Sequence, residues 1–198
     1  MKTISAIIKS FLIVILLSGV ADAAPSKWEI DPAHSGIYFD IRHIFSTIRG
    51  RFNDFSGDIM IDEENPSSST ISFEVKIDSI NTNIDQRDTH LKSPDFFNAG
   101  QYPVMKFKSG SVEHVNDNNY ILSGDLTIKD VTRELRIPFK YLGKRDNPMK
   151  PGTFVAGFEC SFPINRLEYH VGDGGFYKKG LVDKDVFITI TLELIRDK

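Results

Sequence analysis

Apolar and polar residues alternate with a period of two along much of this chain. The stretch 70–77 reads TISFEVKI, and the stretch 185–195 reads DVFITITLELI. Because successive side chains of a β-strand point to opposite faces, the alternation predicts strands with one dry and one wet face. The pattern predicts eight strands, near residues 36–42, 48–62, 70–82, 103–115, 119–129, 132–144, 153–164 and 185–196.

Short turn signals separate these strands, so we expect consecutive strands to be antiparallel. Residues 85–98 break the alternation, and they predict a helix or helical loop whose regularity is limited by Pro94. The expected fold is therefore all-β with one short helix. Eight antiparallel strands allow a closed barrel or a two-sheet sandwich, and an eight-stranded barrel is either filled by side chains or holds one small ligand.

Phenylalanine is abundant, with fifteen Phe against one Trp, and many fall on the dry faces of the predicted strands. Such flat, rigid rings are suited to lining an apolar slot, but they are equally suited to ordinary core packing. Composition alone leaves both interpretations open.

The first 23 residues have the features of a secretory signal peptide. Lys2 provides a positive start, Phe11–Leu17 is an uninterrupted apolar run, and Ala21-Asp22-Ala23 is a small-x-small cleavage site. The run is much shorter than the ~20 residues that a membrane-spanning helix needs. We therefore expect cleavage after Ala23, and a single domain over residues 24–198 that is exported to the periplasm and is not an integral membrane protein.

Charge and cysteine content exclude some partners. Without residues 1–23 the chain carries 22 basic and 26 acidic side chains and has no basic run, which argues against nucleic-acid binding. Cys160 is the only cysteine, so no disulfide forms within the chain. Its apolar surroundings indicate a buried thiol, and a disulfide-linked dimer is the alternative. A homodimer of either kind is compatible with the sequence.

The common sequence motifs of hydrolases and other nucleophilic enzymes are missing. The sequence contains no G-x-S-x-G, no H-E-x-x-H and no cysteine-nucleophile motif. The glycine-rich stretch 172–175 lacks the strand and helix that frame a phosphate-binding loop, and it indicates a flexible connection. We expect no enzymatic activity, no cofactor and no metal.

Several local patterns, taken together and in order, resemble the YceI-like, polyisoprenoid-binding proteins. The resemblance covers Trp28 to Ile195. It is carried by these segments: 28–35 (WEIDPAHS), 42–43 (RH), 49–52 (RGRF), 55–57 (FSG), 87–97 (RDTHLKSPDFF), 102–103 (YP), 124–128 (GDLTI), 131–132 (VT) and 164–166 (INR).

The resemblance implies a lipocalin-like antiparallel barrel with a helix near its mouth and a long apolar internal pocket. It also implies an isoprenoid or other amphipathic lipid as the partner. The chain departs from the family at Glu168-Tyr169-His170, where Asp-Phe-Gly or Asp-Tyr-Gly is usual, and the glycine-rich loop of residues 172–180 follows. We expect this segment to alter the pocket rim.

Two sets of site residues follow. The predicted lipid-contacting residues are those on dry faces: Phe39, Ile41, Phe52, Phe73, Val75, Phe107, Leu126, Ile128, Phe139, Phe158 and Ile188. The predicted headgroup or rim residues are His34, His43, Arg87, His90, Phe96, Phe97 and Tyr169.

The expected function is a periplasmic binding or carrier protein for a long apolar lipid, such as a polyisoprenoid or an isoprenoid quinone. One alternative is a metal-binding or catalytic protein that uses the region of His34, His43 and His90. The other is a filled barrel without a ligand that acts as a stress or assembly partner.

Overall fold

A computed structural model describes residues 24–198 and consists almost entirely of antiparallel strands. The predicted signal peptide, residues 1–23, lies outside the described part of the chain. The strands are β1 (Ser26–Ile30), β2 (Gly36–His43), β3 (Ser46–Phe52), β4 (Phe55–Ile61), β5 (Thr70–Lys76), β6 (Ile80–Asn81), β7 (Val104–Asn116), β8 (Asn119–Ile128), β9 (Val131–Asp146), β10 (Thr153–Asn165) and β11 (Val182–Asp197). The helices are α1 (Asp85–Lys92) and the single turn α2 (Gly175–Lys178), with 3₁₀ turns at Pro66–Ser68, Ile77–Ser79 and Arg166–Tyr169.

The strands close into an eight-stranded barrel, which confirms the predicted fold class and excludes the sandwich. The ring runs β1–β4–β5–β7–β8–β9–β10–β11 and returns to β1. β11 also pairs with β2, which pairs with β3, so β2, β3 and β6 extend the wall beyond β1, β4 and β5. Every pairing is antiparallel, as short turns require for the consecutive pairs β2–β3, β7–β8 and β8–β9.

Two predicted strands are interrupted in the structure. The strand expected over 48–62 is broken at Asn53 and Asp54, and the strand expected over 70–82 is broken by the 3₁₀ turn at Ile77–Ser79. The two breaks face each other across the sheet. The Asn53 amide donates to the Ser79 carbonyl at 3.1 Å, and the Lys76 amide donates to the Asp54 carbonyl at 3.0 Å. The wall therefore bends there without losing its hydrogen bonding.

A third irregularity explains the motif at residues 31–35. β1, which the alternation did not predict as a separate strand, is followed by a short loop that leaves the wall before β2 begins. Glu193 of β11 faces this gap, where its carbonyl accepts from the Asp31 amide at 2.9 Å and its amide donates to the Ser35 hydroxyl at 3.0 Å. The loop is therefore a bulge in the sheet that still gives the backbone carbonyl and amide of Glu193 hydrogen-bond partners.

Helix α1 covers one end of the barrel, which we call the α1 end. The turns β2–β3 and β8–β9 and the connection β10–β11 lie at this end as well, and Lys129 of the β8–β9 turn donates to the Phe96 carbonyl at 2.9 Å. The helix is shorter than expected. It ends at Lys92, because Ser93 precedes a proline and adopts an extended conformation.

The connection from β6 to α1 is fixed by one buried carboxylate. Asp88 accepts from the Thr82 amide at 2.9 Å and from the Thr82 hydroxyl at 2.5 Å. Arg87 adds two bonds to the same residue, from Nε to the hydroxyl and from Nη2 to the carbonyl, each at 2.7 Å. These four hydrogen bonds satisfy the amide, hydroxyl and carbonyl of Thr82 and the buried carboxylate of Asp88.

We predict that Asp88→Ala lowers the free energy of unfolding by roughly 1–3 kcal/mol, because it leaves the Thr82 amide and hydroxyl buried without an acceptor. Urea unfolding followed by circular dichroism measures the change. Asp85→Ala, at an exposed position of the same helix, is the matched control and should change stability by less than about 0.5 kcal/mol. Equal effects of the two substitutions would contradict this role of Asp88.

Candidate functional site

The barrel encloses a cavity of about 620 Å³. This lies within the range of roughly 300–1,000 Å³ that small-molecule pockets occupy. The inward-facing side chains of all eight strands of the closed ring contribute to its wall. All eleven residues predicted to contact lipid border the cavity: Phe39, Ile41, Phe52, Phe73, Val75, Phe107, Leu126, Ile128, Phe139, Phe158 and Ile188. Their contact with a ligand stays a prediction.

Glycines beneath three of these phenylalanines help to keep the space open. The Phe39 ring lies over Gly50, its partner in the neighbouring strand, where a Cβ atom would fall 2.2 Å from the ring. Phe73 lies in the same way against Gly57, and Phe107 against Gly124, with corresponding distances of 3.0 and 2.7 Å. A larger residue at these positions would push each ring away from the wall. The glycines therefore let flat rings lie along the wall of the cavity.

The α1 end of the cavity carries polar groups. Arg87 and His90 of α1 border the cavity together with His43 at the end of β2. The His90 imidazole is 3.1 Å from the Asp95 carboxylate. Phe96 and Phe97, also predicted as rim residues, border the cavity beside them.

Arg166 is a buried cation that is not among the predicted site residues. Its side chain borders the cavity and the residue is only 5% exposed. Nε donates to the Asp183 carbonyl at 2.8 Å and Nη1 donates to the Val171 carbonyl at 2.7 Å. Among residues 24–198, no carboxylate pairs with it and Nη2 has no hydrogen-bond partner.

Burial lowers the pKa of the Arg166 guanidinium, and the negative charges of Asp173 and Asp183 oppose that shift. A buried charge without a direct counter-ion is costly, so an acceptor beside this guanidinium would be favourable. The neighbouring backbone is shaped around the side chain. Gly172 has φ +85°, and a Cβ atom there would lie 2.4 Å from Nη1.

The far end of the barrel is formed by apolar packing and by paired charges. Trp28 is 2% exposed and packs with Ile59, Ala156 and Leu194. The Arg196 guanidinium lies 4.9 Å from the centre of the Trp28 ring, within the range of a cation–π interaction. Glu63 pairs with Lys144 and, at 3.5 Å, with Arg196.

His34 does not join the other predicted rim residues. It lies in the bulge between β1 and β2, on the outside of the wall, and its side chain is 64% exposed. His43 lies at the other end of the eight-residue strand β2, roughly 25 Å of extended chain away. The alternative that placed His34, His43 and His90 in one site is therefore wrong about His34.

The polar contacts of His34 are local. Nδ1 donates to Asp31 at 2.8 Å and lies 3.9 Å from a Glu193 carboxylate oxygen. The hydrogen bond that His34 donates to Asp31 raises the pKa of His34, and the same bond lowers the pKa of Asp31. These three side chains are close enough to share a cation, but exposed acidic clusters are common without one.

Tyr169 also departs from its predicted place at the rim. The 3₁₀ turn Arg166–Tyr169 directs the ring behind the cavity wall, where it packs with Phe96, Ile128 and Val171 and is 2% exposed. The unusual segment at 168–170 thus acts on the rim through packing. His170 follows in a left-handed conformation and lies 3.2 Å from Asp130.

Cys160 points into the barrel and borders the cavity. Burial raises the pKa of its thiol to about 11. Since β10 directs this side chain inward, the thiol is not displayed on the outer surface, and a disulfide to a second chain would require the wall to open. The thiol therefore lies where a ligand in the cavity would cover it.

No helix within residues 24–198 is both long enough and apolar enough to cross a membrane.

Comparisons with known proteins agree with this architecture. The UPF0312 protein plu2095 of Photorhabdus laumondii is 34% identical over 188 residues, which is 93% of each chain. The crystal structure of BcnA from Burkholderia cenocepacia superposes with a TM-score of 0.74 at 21% identity and covers 85% of this chain and 99% of BcnA. A polyisoprenoid binding domain from Saccharophagus degradans superposes with a TM-score of 0.61 at 14% identity, covering 87% of this chain and 98% of that domain.

The family is shown by sequence as well as by shape. The model of the YceI-like domain family matches residues 28–194, almost all of the described chain. The same span contains the motifs that suggested this resemblance. The chain belongs to the YceI-like family.

Proposed function

We propose that this protein is an exported binding and carrier protein for a long apolar lipid of the isoprenoid class, held inside the barrel without bond chemistry. The observation that carries the proposal is the cavity of about 620 Å³, whose wall is formed mainly by aliphatic and phenylalanine side chains. A filled barrel without a ligand is disfavoured, because the interior is not packed solid.

The similar domain from Saccharophagus degradans supports the choice of ligand class, since that domain is described as polyisoprenoid-binding. An isoprenoid chain is apolar along its whole length, so it needs a dry slot whose wall is apolar throughout. Burying ~500 Å² of such a chain contributes roughly 12 kcal/mol at ~25 cal/mol/Å², against association and ordering costs of ~4–15 kcal/mol. The apolar wall is therefore sufficient to drive binding without a charged partner for the chain itself.

In this proposal the polar end of the lipid lies at the α1 end, beside Arg166, Arg87 and His90. A phosphate, carboxylate or carbonyl oxygen there would give Arg166 the acceptor that its Nη2 lacks. At the far end Trp28 Nε1 and Arg196 Nε also lack a hydrogen-bond partner, but the Arg196 guanidinium already has Glu63 as its counter-ion, and Glu63 pairs with Lys144 as well. The difference between the two ends sets the expected direction of the ligand.

Export to the periplasm is part of the same proposal. It rests on the predicted signal peptide over residues 1–23, with cleavage after Ala23. A lipid with a long isoprenoid chain is poorly soluble in water, so an aqueous compartment between two membranes is a place where a lipid-binding barrel has a use.

We predict that Ile188→Trp, which places a large ring in the cavity, reduces uptake of tritiated geranylgeraniol at least tenfold. Ile188 borders the cavity, whereas the next residue, Phe187, is 55% exposed on the outer face of the same strand. Phe187→Trp is therefore the matched control and should bind as the unchanged protein does. Gel filtration of protein mixed with the label measures uptake, and normal binding by Ile188→Trp would place the ligand elsewhere.

We predict that bound geranylgeraniol protects Cys160 from 4,4′-dithiodipyridine. With a thiol pKa of about 11 in place of 9.0, the reactive thiolate at pH 8 is about one hundredfold scarcer in the folded protein than in the unfolded chain. The rate in the folded state should rise with pH up to about 11 and should fall when lipid is added. Protein unfolded in urea is the control, and a rate that lipid leaves unchanged would argue against occupation of the cavity.

A further inference from the structure

The turn between β2 and β3 exposes two large apolar side chains. Ile44 is 43% exposed and Phe45 is 91% exposed. Ile44 also has φ 52°, in the left-handed region that a β-branched side chain avoids. Two-residue hairpin turns favour Gly, Asn and Asp, which adopt positive φ easily and prefer water. Ile-Phe therefore contradicts both the conformational and the solvation preference of this turn.

Helix α2 places two more apolar side chains next to this turn. Phe176 is 39% exposed and Tyr177 is 42% exposed. The Ile44 amide donates to the Leu181 carbonyl at 3.0 Å, and the Leu181 amide donates to the Phe176 carbonyl at 2.9 Å. We call Ile44, Phe45, Phe176 and Tyr177 the apolar tip.

Basic side chains accompany the apolar tip. Lys178 and Lys179 follow Tyr177 directly and are exposed. The Lys184 ammonium lies 6.0 Å from the centre of the Tyr177 ring. Within residues 24–198, none of these three lysines pairs with a carboxylate. Lys178 and Lys179 are thus exposed cations beside the tip, and the same stretch of chain also carries Asp173, Asp183 and Asp185.

The apolar tip is continuous with the cavity. Phe176 belongs to the tip and also borders the cavity. His43, which precedes Ile44 in the chain, and Leu181, whose amide donates to the Phe176 carbonyl, border the cavity too. Phe176 stacks on Phe96 with ring centres 6.1 Å apart, so the tip and the α1 end of the cavity share a wall. A surface that covered the tip would lie against this end of the cavity.

We propose that the apolar tip docks on the surface of a lipid bilayer that contains anionic phospholipids. Aromatic and aliphatic side chains favour the interface between headgroups and acyl chains, and lysines nearby are attracted to anionic headgroups. Strain that persists in an exposed turn is a mark of function, because folding alone would favour Gly or Asn there. Docking extends the proposed lipid binding, since it brings the end of the cavity to the membrane, but its test is independent of any bound lipid.

The test is flotation of the protein, residues 24–198, with vesicles of phosphatidylethanolamine and phosphatidylglycerol at 3:1. We expect the double variant Ile44→Gly/Phe45→Ser to bind at least tenfold more weakly, with an unchanged or higher Tm because Gly relieves the positive φ. Met149→Ser is the matched control, since Met149 is 89% exposed in the β9–β10 turn at the far end of the barrel. This control should bind as the unchanged protein does.

Charge is tested separately. Lys178→Gln/Lys179→Gln should weaken binding to these vesicles by about twenty-fivefold, at about fivefold per lysine, and should leave the weaker binding to phosphatidylcholine vesicles unchanged.

Failure to bind the anionic vesicles, or equal binding by the Ile44→Gly/Phe45→Ser variant, would overturn the docking surface while leaving lipid uptake unaffected. Sedimentation analysis adds the remaining outcome. A concentration-dependent dimer that the double variant abolishes would mean that a second copy of the chain covers the tip, and it would also overturn the proposal.

Discussion

The hydrogen bonding of β11 holds the whole architecture together. One edge of this sixteen-residue strand pairs with β10 along thirteen residues, and the other edge pairs with both β1 and β2. The bulge at 31–35 lets one strand edge serve both partners, because the Asp31 amide and the Ser35 hydroxyl satisfy the backbone of Glu193. A closed ring leaves few free strand edges and separates an interior from solvent.

That interior becomes a cavity because of how the aromatic residues are placed. A barrel of this size is easily filled by side chains, and the chain has fifteen phenylalanines with which to fill it. Glycines beneath the rings of Phe39, Phe73 and Phe107 let these rings lie against the wall. The space that remains is apolar along its length, with an unpaired buried guanidinium at one end and a paired charge cluster at the other.

Period-two alternation predicted the strands and their inward-facing residues, because it reports directly on which side of a strand a residue lies. It left a barrel and a sandwich open, and only the family resemblance implied the barrel. Where a strand is interrupted, alternation in the sequence no longer tells which way a side chain points. His34 lies in a bulge and faces outward, and Tyr169 lies in a 3₁₀ turn that directs it behind the wall. Arg166 could not be placed from its neighbours, because its acceptors are backbone carbonyls of Val171 and Asp183 that only the fold brings together. The one sequence feature that pointed to Arg166 was its place in the segment 164–166 (INR), which resembles the YceI-like family.

The central claim, that the barrel holds an isoprenoid lipid, is tested most directly by native mass spectrometry of protein released from the periplasm of producing cells without detergent. If the barrel holds such a lipid, the released protein begins at Ala24 and carries one lipid per barrel. Extraction with organic solvent should release an isoprenoid with an oxygen-bearing polar end. An empty barrel that also fails to take up added polyisoprenoid would contradict the account, and a bound hydrocarbon without a polar group would contradict the part assigned to Arg166.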